Sequence, residues 1–248
     1  TYKKSGDNYV LNGTLRYVID GHTADLLIIA ARSENSKGAE GISLFAIPAS
    51  TAGVTRKWLP TMDQTRHQAE VMLNNVTASA STLMGTEAQA WPQLKKIISL
   101  AKIAVSAEQM GGAQEMLDKT VAFTQERVQF GRAIASFQAI KHKAADMMLK
   151  CEVARSAVYY AACVAQEAMS ADGDATIAAE LDEAAAMAKC YCSDTFFFNA
   201  GSAIQMYGGV GFTWEYDPHL YFKRAKSSEL FLGNGAQQRE LIAQMLLD

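Results

Sequence analysis

The sequence has few of the residues that assemble metal sites. Its 248 residues include four histidines and four cysteines, and neither type shows the paired spacing that zinc ligands require. We therefore predict that no metal is bound. Because no CxxC pair is present, reduced cysteines between the helices of a cytoplasmic protein are the favoured interpretation. The four are Cys151, Cys163, Cys190 and Cys192.

The chain also lacks a strong charge of either sign and a long apolar run. Its formal net charge is -3, whereas a nucleic-acid partner would favour a basic face, so no such partner is predicted. No segment approaches the roughly 18 consecutive apolar residues of a membrane span. Residues 1–3 show neither an initiating methionine nor signal-peptide features, so a processed chain or a fragment is expected.

The first 85 residues alternate short apolar runs with turn signals. Residues 9–11 and 14–19 flank Asn12-Gly13, a pair that favours a type I′ hairpin turn. Several short strands at this spacing predict a small antiparallel β-sandwich or barrel domain over residues 1–85. The other strand candidates are residues 26–30, 42–47, 54 and 70–73.

After residue 85 the pattern becomes helical. Apolar residues recur at steps of three and four between Phe137 and Cys151 and between Ile177 and Tyr191, as in amphipathic helices. Asp174 is a predicted N-cap. Long helices with short connections predict an antiparallel four-helix bundle over residues 86–248, which makes the fold class α+β. The predicted helices cover about residues 88–126, 134–169, 175–206 and 228–247, with a short one near 217–224.

The first candidate site is the segment from Arg127 to Arg132, Arg-Val-Gln-Phe-Gly-Arg, which is followed by Phe137 and Gln138. An arginine at the end of one helix, a glycine that breaks it and the start of a new helix would offer a guanidinium and free backbone N–H groups to a phosphate. On its own, the segment is more typical of an ordinary corner between two helices.

The second candidate site runs from Gln205 to Phe212, Gln-Met-Tyr-Gly-Gly-Val-Gly-Phe. Three glycines in four residues allow the backbone to approach a ligand or a neighbouring chain closely. The segment is not a GxGxxG dinucleotide motif and it follows a helix, so on its own it also fits a glycine turn at a helix C-terminus.

Taken in order, the two segments and the final amphipathic helix resemble the C-terminal domain of the acyl-CoA dehydrogenases. The pattern is R-x-x-F-G-x-x-x-x-x-F-Q, then Q-x-x-G-G-x-G-F. Residues 9–13 and 42–45 are similar to the middle β domain of that family. The resemblance therefore runs through the whole chain, without the family's N-terminal helical domain and the start of its middle domain.

The resemblance implies FAD at a subunit interface, with two groups of contacts. Positions that reach the FAD of the neighbouring subunit are intact, and they offer a cation, an aromatic wall, amides and close backbone approach. They are Arg127, Phe130, Gln138, Gln205, Gly208 and Gly209. Positions beside the subunit's own flavin depart from the family. Tyr17 and Ile19 replace a frequent Trp and Thr, and Asn234 and Ala236 replace a Thr and a frequent Gln. Tyr17 can still stack on the ring, and Asn234 can partly substitute.

The position of the catalytic base departs most. The family removes an α-proton with a carboxylate, and the usual Glu is here Leu232. Some members place the Glu on the first long helix of this domain, at a position that is here Ala101. Glu108 lies on the same helical face but about 10 Å further along the axis, beyond the reach of a Glu side chain. A polar-interface or solvated role is favoured for Glu108, and a relocated base is the alternative.

All departures thus fall on the chain's own site and all retentions on its neighbour's. This distribution predicts a non-catalytic subunit that completes the FAD site of a catalytic partner, as in heteromeric members acting on bulky or dicarboxylic acyl-CoAs in fatty acid or steroid metabolism. The implied partners are acyl-CoA, a homo- or hetero-tetramer built as a dimer of dimers, and an electron-transfer flavoprotein as acceptor. The alternatives are a self-sufficient homotetrameric dehydrogenase with a relocated base, and a structural homologue that has lost flavin.

Overall fold

In the computed structural model, which describes residues 1–247, the chain divides into two units. The first is Thr1–Lys95 and the second begins at Lys96. This boundary lies inside a long helix, Trp91–Glu126 (α1). The domain boundary predicted at residue 85 lies earlier in the chain, directly after Leu83–Met84, the last strand of the first unit. The assignment of residues 1–85 and 86–248 to particular domains of the family stays a prediction.

The first unit consists of two antiparallel sheets. Its strands are Tyr2–Ser5 (β1), Asn8–Ile19 (β2), Leu26–Arg32 (β3), Ile42–Pro48 (β4), Val54–Leu59 (β5), Gln68–Ser79 (β6) and Leu83–Met84 (β7). One sheet has the order β1-β2-β6-β5 and the other the order β3-β4-β7. Both sheets contribute to one core, in which Leu11 and Val71 of the first lie with Ile29 and Phe45 of the second. The predicted antiparallel sandwich is confirmed.

The hairpin turn predicted at Asn12-Gly13 is wrong, because both residues lie inside β2 at a β-bulge. Asn12 has partners on both sides. Its backbone N–H donates to the carbonyl oxygen of Thr1 at 3.0 Å, and its Oδ1 accepts from the Asn75 N–H at 2.8 Å. The first hairpin turns instead at Gly6, which has a φ of 60°. Pairing with a distant strand therefore outweighs the local turn preference of the Asn-Gly pair.

The second unit is a bundle of helices that alternate in direction. Besides α1, the helices are Gln138–Met169 (α2), Ala175–Ala179 (α3), Leu181–Tyr207 (α4), Pro218–Leu230 (α5) and Gly235–Leu247 (α6). Lys96 near the start of α1 bonds to the carbonyl oxygen of Ala168 at the end of α2. Asn199 in the last third of α4 bonds to the carbonyl oxygen of Met147 in the first third of α2. Thus α2 runs antiparallel to both α1 and α4.

Helix α5 returns along α4. The rings of Phe197 and Phe222 pack at a centroid distance of 5.0 Å, while Lys189 near the start of α4 bonds to the carbonyl oxygen of Glu229 near the end of α5. Four long helices therefore alternate up and down around an apolar core. The predicted α+β fold class, with an antiparallel helical bundle after the β domain, is confirmed.

Two predicted helices are interrupted. The helix predicted over residues 175–206 is α3 followed by α4, with a break at Glu180. Its N-cap is as predicted, because the Asp174 carboxylate accepts from the backbone N–H groups of the next turn, at 2.7 and 3.3 Å. The helix predicted over residues 228–247 is divided by a turn at residues 231–234, where Leu232 and Gly233 have φ values of 61° and 94°. Left-handed residues cannot continue an α-helix, and this turn contains Leu232, the position predicted for the family's base.

The cysteines are all free thiols, of which Cys163 is exposed and the other three are buried. The prediction that they lie between helices is therefore wrong for Cys163. In the described part of the chain, His, Cys, Asp and Glu side chains form no group of three that could bind a metal ion. No helix within residues 1–247 is long and apolar enough to cross a membrane.

Candidate functional site

The Arg127 segment forms a small β-hairpin between two helices. After α1 ends at Glu126, Val128–Gln129 (β8) pairs with Arg132–Ala133 (β9). Phe130 and Gly131 form the turn with φ values of 54° and 78°, and positive φ at both central residues is the signature of a type I′ turn. The predicted direct helix–glycine–helix corner is thus wrong. The hairpin places the Phe130 side chain at its tip, where it is 89% exposed.

The side chains around this hairpin present unused binding groups. Arg127 and Gln138 are exposed, and neither side chain has a hydrogen-bond or ion-pair partner among residues 1–247. Phe137 packs against the hairpin. The Arg132 guanidinium lies 4.1 Å from the centroid of the Phe137 ring, and the Phe130 and Phe137 rings pack edge-on at a centroid distance of 6.0 Å. An unpaired guanidinium, an unpaired amide and an exposed aromatic ring around one hairpin are groups that a ligand or a neighbouring chain can contact.

The glycines of the Gln205 segment have two different roles. Gly208, with a φ of 66°, ends α4, and a Cβ added to it or to Gly209 would meet no atom within 4 Å. These two positions therefore leave open space for a ligand or a neighbour. Gly211 is buried, and a Cβ there would lie 3.0 Å from the carbonyl oxygen of Ile204. The third glycine is thus explained by internal packing, which the sequence pattern does not reveal.

The two segments lie at one end of the helical unit, which we call the motif end. Phe123, in the last turn of α1, stacks on Tyr207, the last residue of α4, at a centroid distance of 4.0 Å. The Tyr207 hydroxyl also donates to the carbonyl oxygen of Lys119 at 3.2 Å. Gln205 is exposed and lines the same groove as Lys143 of α2. Residues 78 positions apart in sequence, such as Arg127 and Gln205, are therefore brought to one end of the bundle.

Leu232 lies in the turn that connects α5 and α6, residues 231–234, which we call the base-position turn. The Nε2 atom of buried Gln238 donates to the carbonyl oxygens of Leu232 and Gly233 at 2.9 and 3.2 Å. Asn234 caps α6: its Oδ1 accepts from the Gln237 N–H, and the Gln237 side chain accepts from the Asn234 N–H, both at 3.0 Å. This reciprocal pair is a capping box. The only oxygen of the Asn234 side chain thus already accepts a hydrogen bond from this chain's own backbone.

Lys189 is a further residue at this turn, and sequence reasoning missed it. Its side chain is completely buried, and its Nζ donates to Glu229 O and Gly233 O. Burial lowers the pKa of Lys189 from 10.5 to about 8, the largest effect, while the charge of Glu229 acts in the opposite direction. The available signal was a single lysine that follows a run of apolar residues, 184–188, in a helix predicted to be amphipathic.

The motif end and the base-position turn are far apart. Lys189, which contacts the turn, and Gln205, at the motif end, are separated by sixteen residues of the same helix. At 1.5 Å per residue this corresponds to about 24 Å along α4. Lys189 and Gln205 are therefore more than four helical turns apart on α4.

Glu108, the candidate relocated base, is engaged in an ion pair. Its Oε1 lies 2.7 Å from the Nε of Arg224 on α5, and both side chains are partly buried. Ala101, at the alternative family position, lies two turns earlier on α1 and carries no ionisable group. The arrangement is consistent with the polar-interface role that the sequence favours for Glu108.

In the first unit, Tyr17 lies in β2 at a second bulge, between Leu15 and Val18. It has a φ of 60° and is 59% exposed. A bulge re-aims the side chain that it contains, so Tyr17 presents its ring to the surface. Ile19, two residues later, pairs with Gln68 at the end of the strand.

Comparison with known proteins identifies the family. Residues 89–247 match the family model for the C-terminal domain of acyl-CoA dehydrogenases. Because this match covers more than half of the chain, the chain belongs to the acyl-CoA dehydrogenase family. The homologues are flavin-dependent dehydrogenases, so the predicted family, its oxidoreductase class and its flavin are confirmed at the level of the family.

Individual relatives agree with this assignment. The acyl-CoA dehydrogenase IpdE2 of Mycolicibacterium smegmatis is 34% identical over 92% of this chain and 61% of that protein. The structure of butyryl-CoA dehydrogenase from Megasphaera elsdenii superposes with a TM-score of 0.89 at 31% identity, and one described as the electron transferring flavoprotein of Acidaminococcus fermentans with 0.90 at 32%. Each of the two structural matches covers 100% of this chain but 63% of the other. The chain thus spans less than two thirds of the length of these relatives.

Proposed function

We propose that this chain belongs to a subunit that completes the FAD site of a neighbouring, catalytic acyl-CoA dehydrogenase subunit and supplies no base of its own. The observation that carries the proposal is the contrast between Leu232, at the base position, and the intact, exposed FAD-type positions at the motif end. The reaction is the α,β-dehydrogenation of an acyl-CoA thioester. An electron-transfer flavoprotein would accept the electrons, and the assembly would be a hetero-tetramer.

The motif end fits FAD in the chemistry of its groups. The unpaired Arg127 guanidinium suits the two negative charges of a pyrophosphate. The exposed Phe130 ring offers an apolar face, and the amides of Gln138 and Gln205 offer hydrogen bonds. The open space above Gly208 and Gly209 allows the cofactor to approach the backbone. When bound, FAD supplies the hydride acceptor, and this chain's residues bind and orient it.

The chain's own base position fits the reaction poorly. A general base must reach the proton that it removes and must have a lone pair for it. The Leu232 side chain has none, Ala101 has none, and Glu108 is paired with Arg224. In the first unit, Ile19 lacks the hydroxyl that family members often place beside the flavin. These departures support a subunit that assists a partner's chemistry, and the Glu108 ion pair argues against the relocated-base alternative.

The separation of about 24 Å between the two places supports a division between two sites. A FAD contacted at this chain's motif end would receive its base from elsewhere, because Leu232 lies too far away to act on the same reacting atoms. This arrangement matches an interface at which one subunit contributes cofactor contacts and the other contributes the acid–base chemistry.

The composition of the native assembly tests the proposal. The full-length protein, tagged on this chain and purified from its own organism, would be analysed by intact mass for chain types and by absorbance for flavin content. We expect two chain types in an assembly that contains FAD. A single chain type with FAD on every subunit and acyl-CoA oxidation would overturn the proposal in favour of a self-sufficient homotetramer. A colourless assembly without flavin would overturn it in favour of a structural homologue.

A further inference from the structure

We infer that Lys189 is a positioning residue, which fixes the backbone of the base-position turn and thereby the direction of the side chain at position 232. The inference deepens the proposed function and rests on it for the meaning of position 232. Its structural part concerns the turn alone. It rests on three hydrogen bonds, the burial of the lysine and the left-handed backbone of the turn.

All three protons of the Lys189 ammonium group have acceptors. The Nζ donates to Ser193 Oγ at 2.8 Å, to the carbonyl oxygen of Glu229 at 3.0 Å and to that of Gly233 at 3.1 Å. Glu229 lies in the last turn of α5, and Gly233 lies in the base-position turn. One buried group therefore ties the end of α5 to the turn that follows it.

The position of the ammonium group explains why a charge is tolerated in the bundle core. The last carbonyl groups of an α-helix have no partners inside the helix, and they carry the negative end of the helix dipole. A buried cation that donates to such a carbonyl satisfies both groups, whereas an unpaired buried charge is costly. Lys189 is thus stabilised by the end of α5 and in return satisfies the carbonyl oxygen of Glu229.

A second buried side chain completes the attachment of the turn. Gln238 donates to the carbonyl oxygens of Leu232 and Gly233 from the side of α6. Gly233 is required at this place, because a Cβ there would lie 2.5 Å from Gln238 Nε2 and because its φ is 94°. The left-handed φ of 61° at Leu232 is therefore stabilised by donors on two neighbouring helices, α4 and α6.

These bonds go to the backbone of the turn and do not involve the side chain of residue 232. The turn would therefore keep its form whether residue 232 is Leu or a carboxylate residue. Lys189 is connected to α1 as well, since Gln109 Nε2 donates to Ser193 Oγ at 3.0 Å and to Ser228 Oγ at 3.2 Å. The network couples the turn to three helices of the rigid core.

Hydrogen–deuterium exchange on the full-length assembly tests the inference. Lys189→Met keeps the length and volume of the side chain but removes its N–H donors, whereas Lys189→Gln retains two N–H donors. We expect backbone amides of residues 231–235 to exchange about tenfold faster in Lys189→Met, and faster by a smaller factor in Lys189→Gln. The reason is that the turn can then open without breaking the hydrogen bonds of the Lys189 ammonium group. Amides of residues 205–213, at the motif end, serve as the internal reference and should not change.

Ser193→Ala is the matched control, because it removes one acceptor of the ammonium group without touching the bonds to the turn. It should leave residues 231–235 nearly unchanged. The inference is overturned if Lys189→Met leaves the turn protected, or if both variants accelerate the turn and the reference equally, which would indicate general loosening of the core. The measurement requires neither flavin nor activity, so its failure is distinguishable from failure of the proposed function.

Discussion

The two ends of the helical unit use their polar groups in opposite ways. At the motif end, Arg127 and Gln138 are exposed and unpaired within the described residues, and Phe130 projects from its hairpin. At the base-position turn, the side chains of Lys189 and Gln238 donate to the chain's own backbone. The first region leaves its polar groups available to a ligand or a neighbour, whereas the second is stabilised by bonds within the chain.

Under the proposed function, this difference explains how the residue at the base position could change while the turn that carries it persists. The donors at the base-position turn bind carbonyl oxygens, which every residue type supplies. Replacing a carboxylate residue by Leu232 therefore costs the fold little, although it removes a proton acceptor. Under the proposed function, binding at the motif end depends on the side chains themselves, so a substitution there would change binding directly. The predictions below test this comparison, from the largest expected effect to the smallest.

The largest effect is expected from Leu232→Glu, measured in an assembly whose catalytic partner has lost its own base. Because the turn is already formed, we expect the variant to raise the rate of acyl-CoA oxidation by roughly 10²-fold or more over the Leu232→Gln control, the usual contribution of a positioned general base. The gain should be lost again in a Leu232→Glu, Lys189→Met double variant. An equal rate for Glu and Gln at position 232 would show that the turn does not present its side chain to substrate.

A smaller loss is expected from Arg127→Gln. Removing a charged donor to a phosphate typically costs about 1.5–3 kcal/mol, or roughly 10- to 100-fold in affinity. We expect weaker retention of FAD by the assembly, measured as flavin released during dilution. Lys37→Gln is the control, because it removes one positive charge from an exposed position in the other unit. Unchanged retention in Arg127→Gln would count against a flavin contact at the motif end.

The pH dependence of stability should reveal the buried lysine. The folded-state pKa of Lys189 is lowered to about 8 by burial, below the unfolded value of about 10.4. Between these values the unfolded chain binds more protons, so this group makes stability rise with pH. Burial raises the pKa of Cys192 to about 12 and acts in the opposite direction above the ordinary thiol pKa. We therefore expect the free energy of unfolding of the native protein, minus that of Lys189→Met, to rise with pH.

Chemical denaturation at a series of pH values from about 7 to about 10 measures this difference. The charged groups near the ammonium, Glu229 and Lys102, act on its pKa in opposite directions, and the comparison with Lys189→Met cancels contributions that both proteins share. Parallel stability curves for the two proteins would contradict a lowered pKa for Lys189.

The smallest effect is expected from Asn234→Ala, which removes the capping box of α6. Loss of an N-cap costs about 1 kcal/mol, and thermal unfolding should detect it. Asn234→Asp retains the capping oxygen and should stay close to the native stability. A loss of flavin binding in both variants, without a change in stability, would instead assign Asn234 to the cofactor.

Much of the fold was predictable because it depends on local patterns. Helical periodicity located the bundle, and the Asp174 cap was identified correctly because its hydrogen bonds join residues two and three positions apart. The Asn12-Gly13 hairpin was predicted wrongly because its decisive partner, Asn75, lies 63 residues away. The order of the two motifs was sufficient to identify the family, although neither motif is specific on its own.

The sequence by itself determined the family, the two-part architecture and the absence of a carboxylate at position 232, because each depends on residue identity and order. Only the tertiary structure decided which glycines face open space, that Phe130 lies at a hairpin tip, and that Lys189 reaches the base-position turn. The acceptors of Lys189 lie 40 and 44 residues away. No periodicity or residue spacing in the sequence indicates such a contact, since it forms only when α4 and α5 pack side by side.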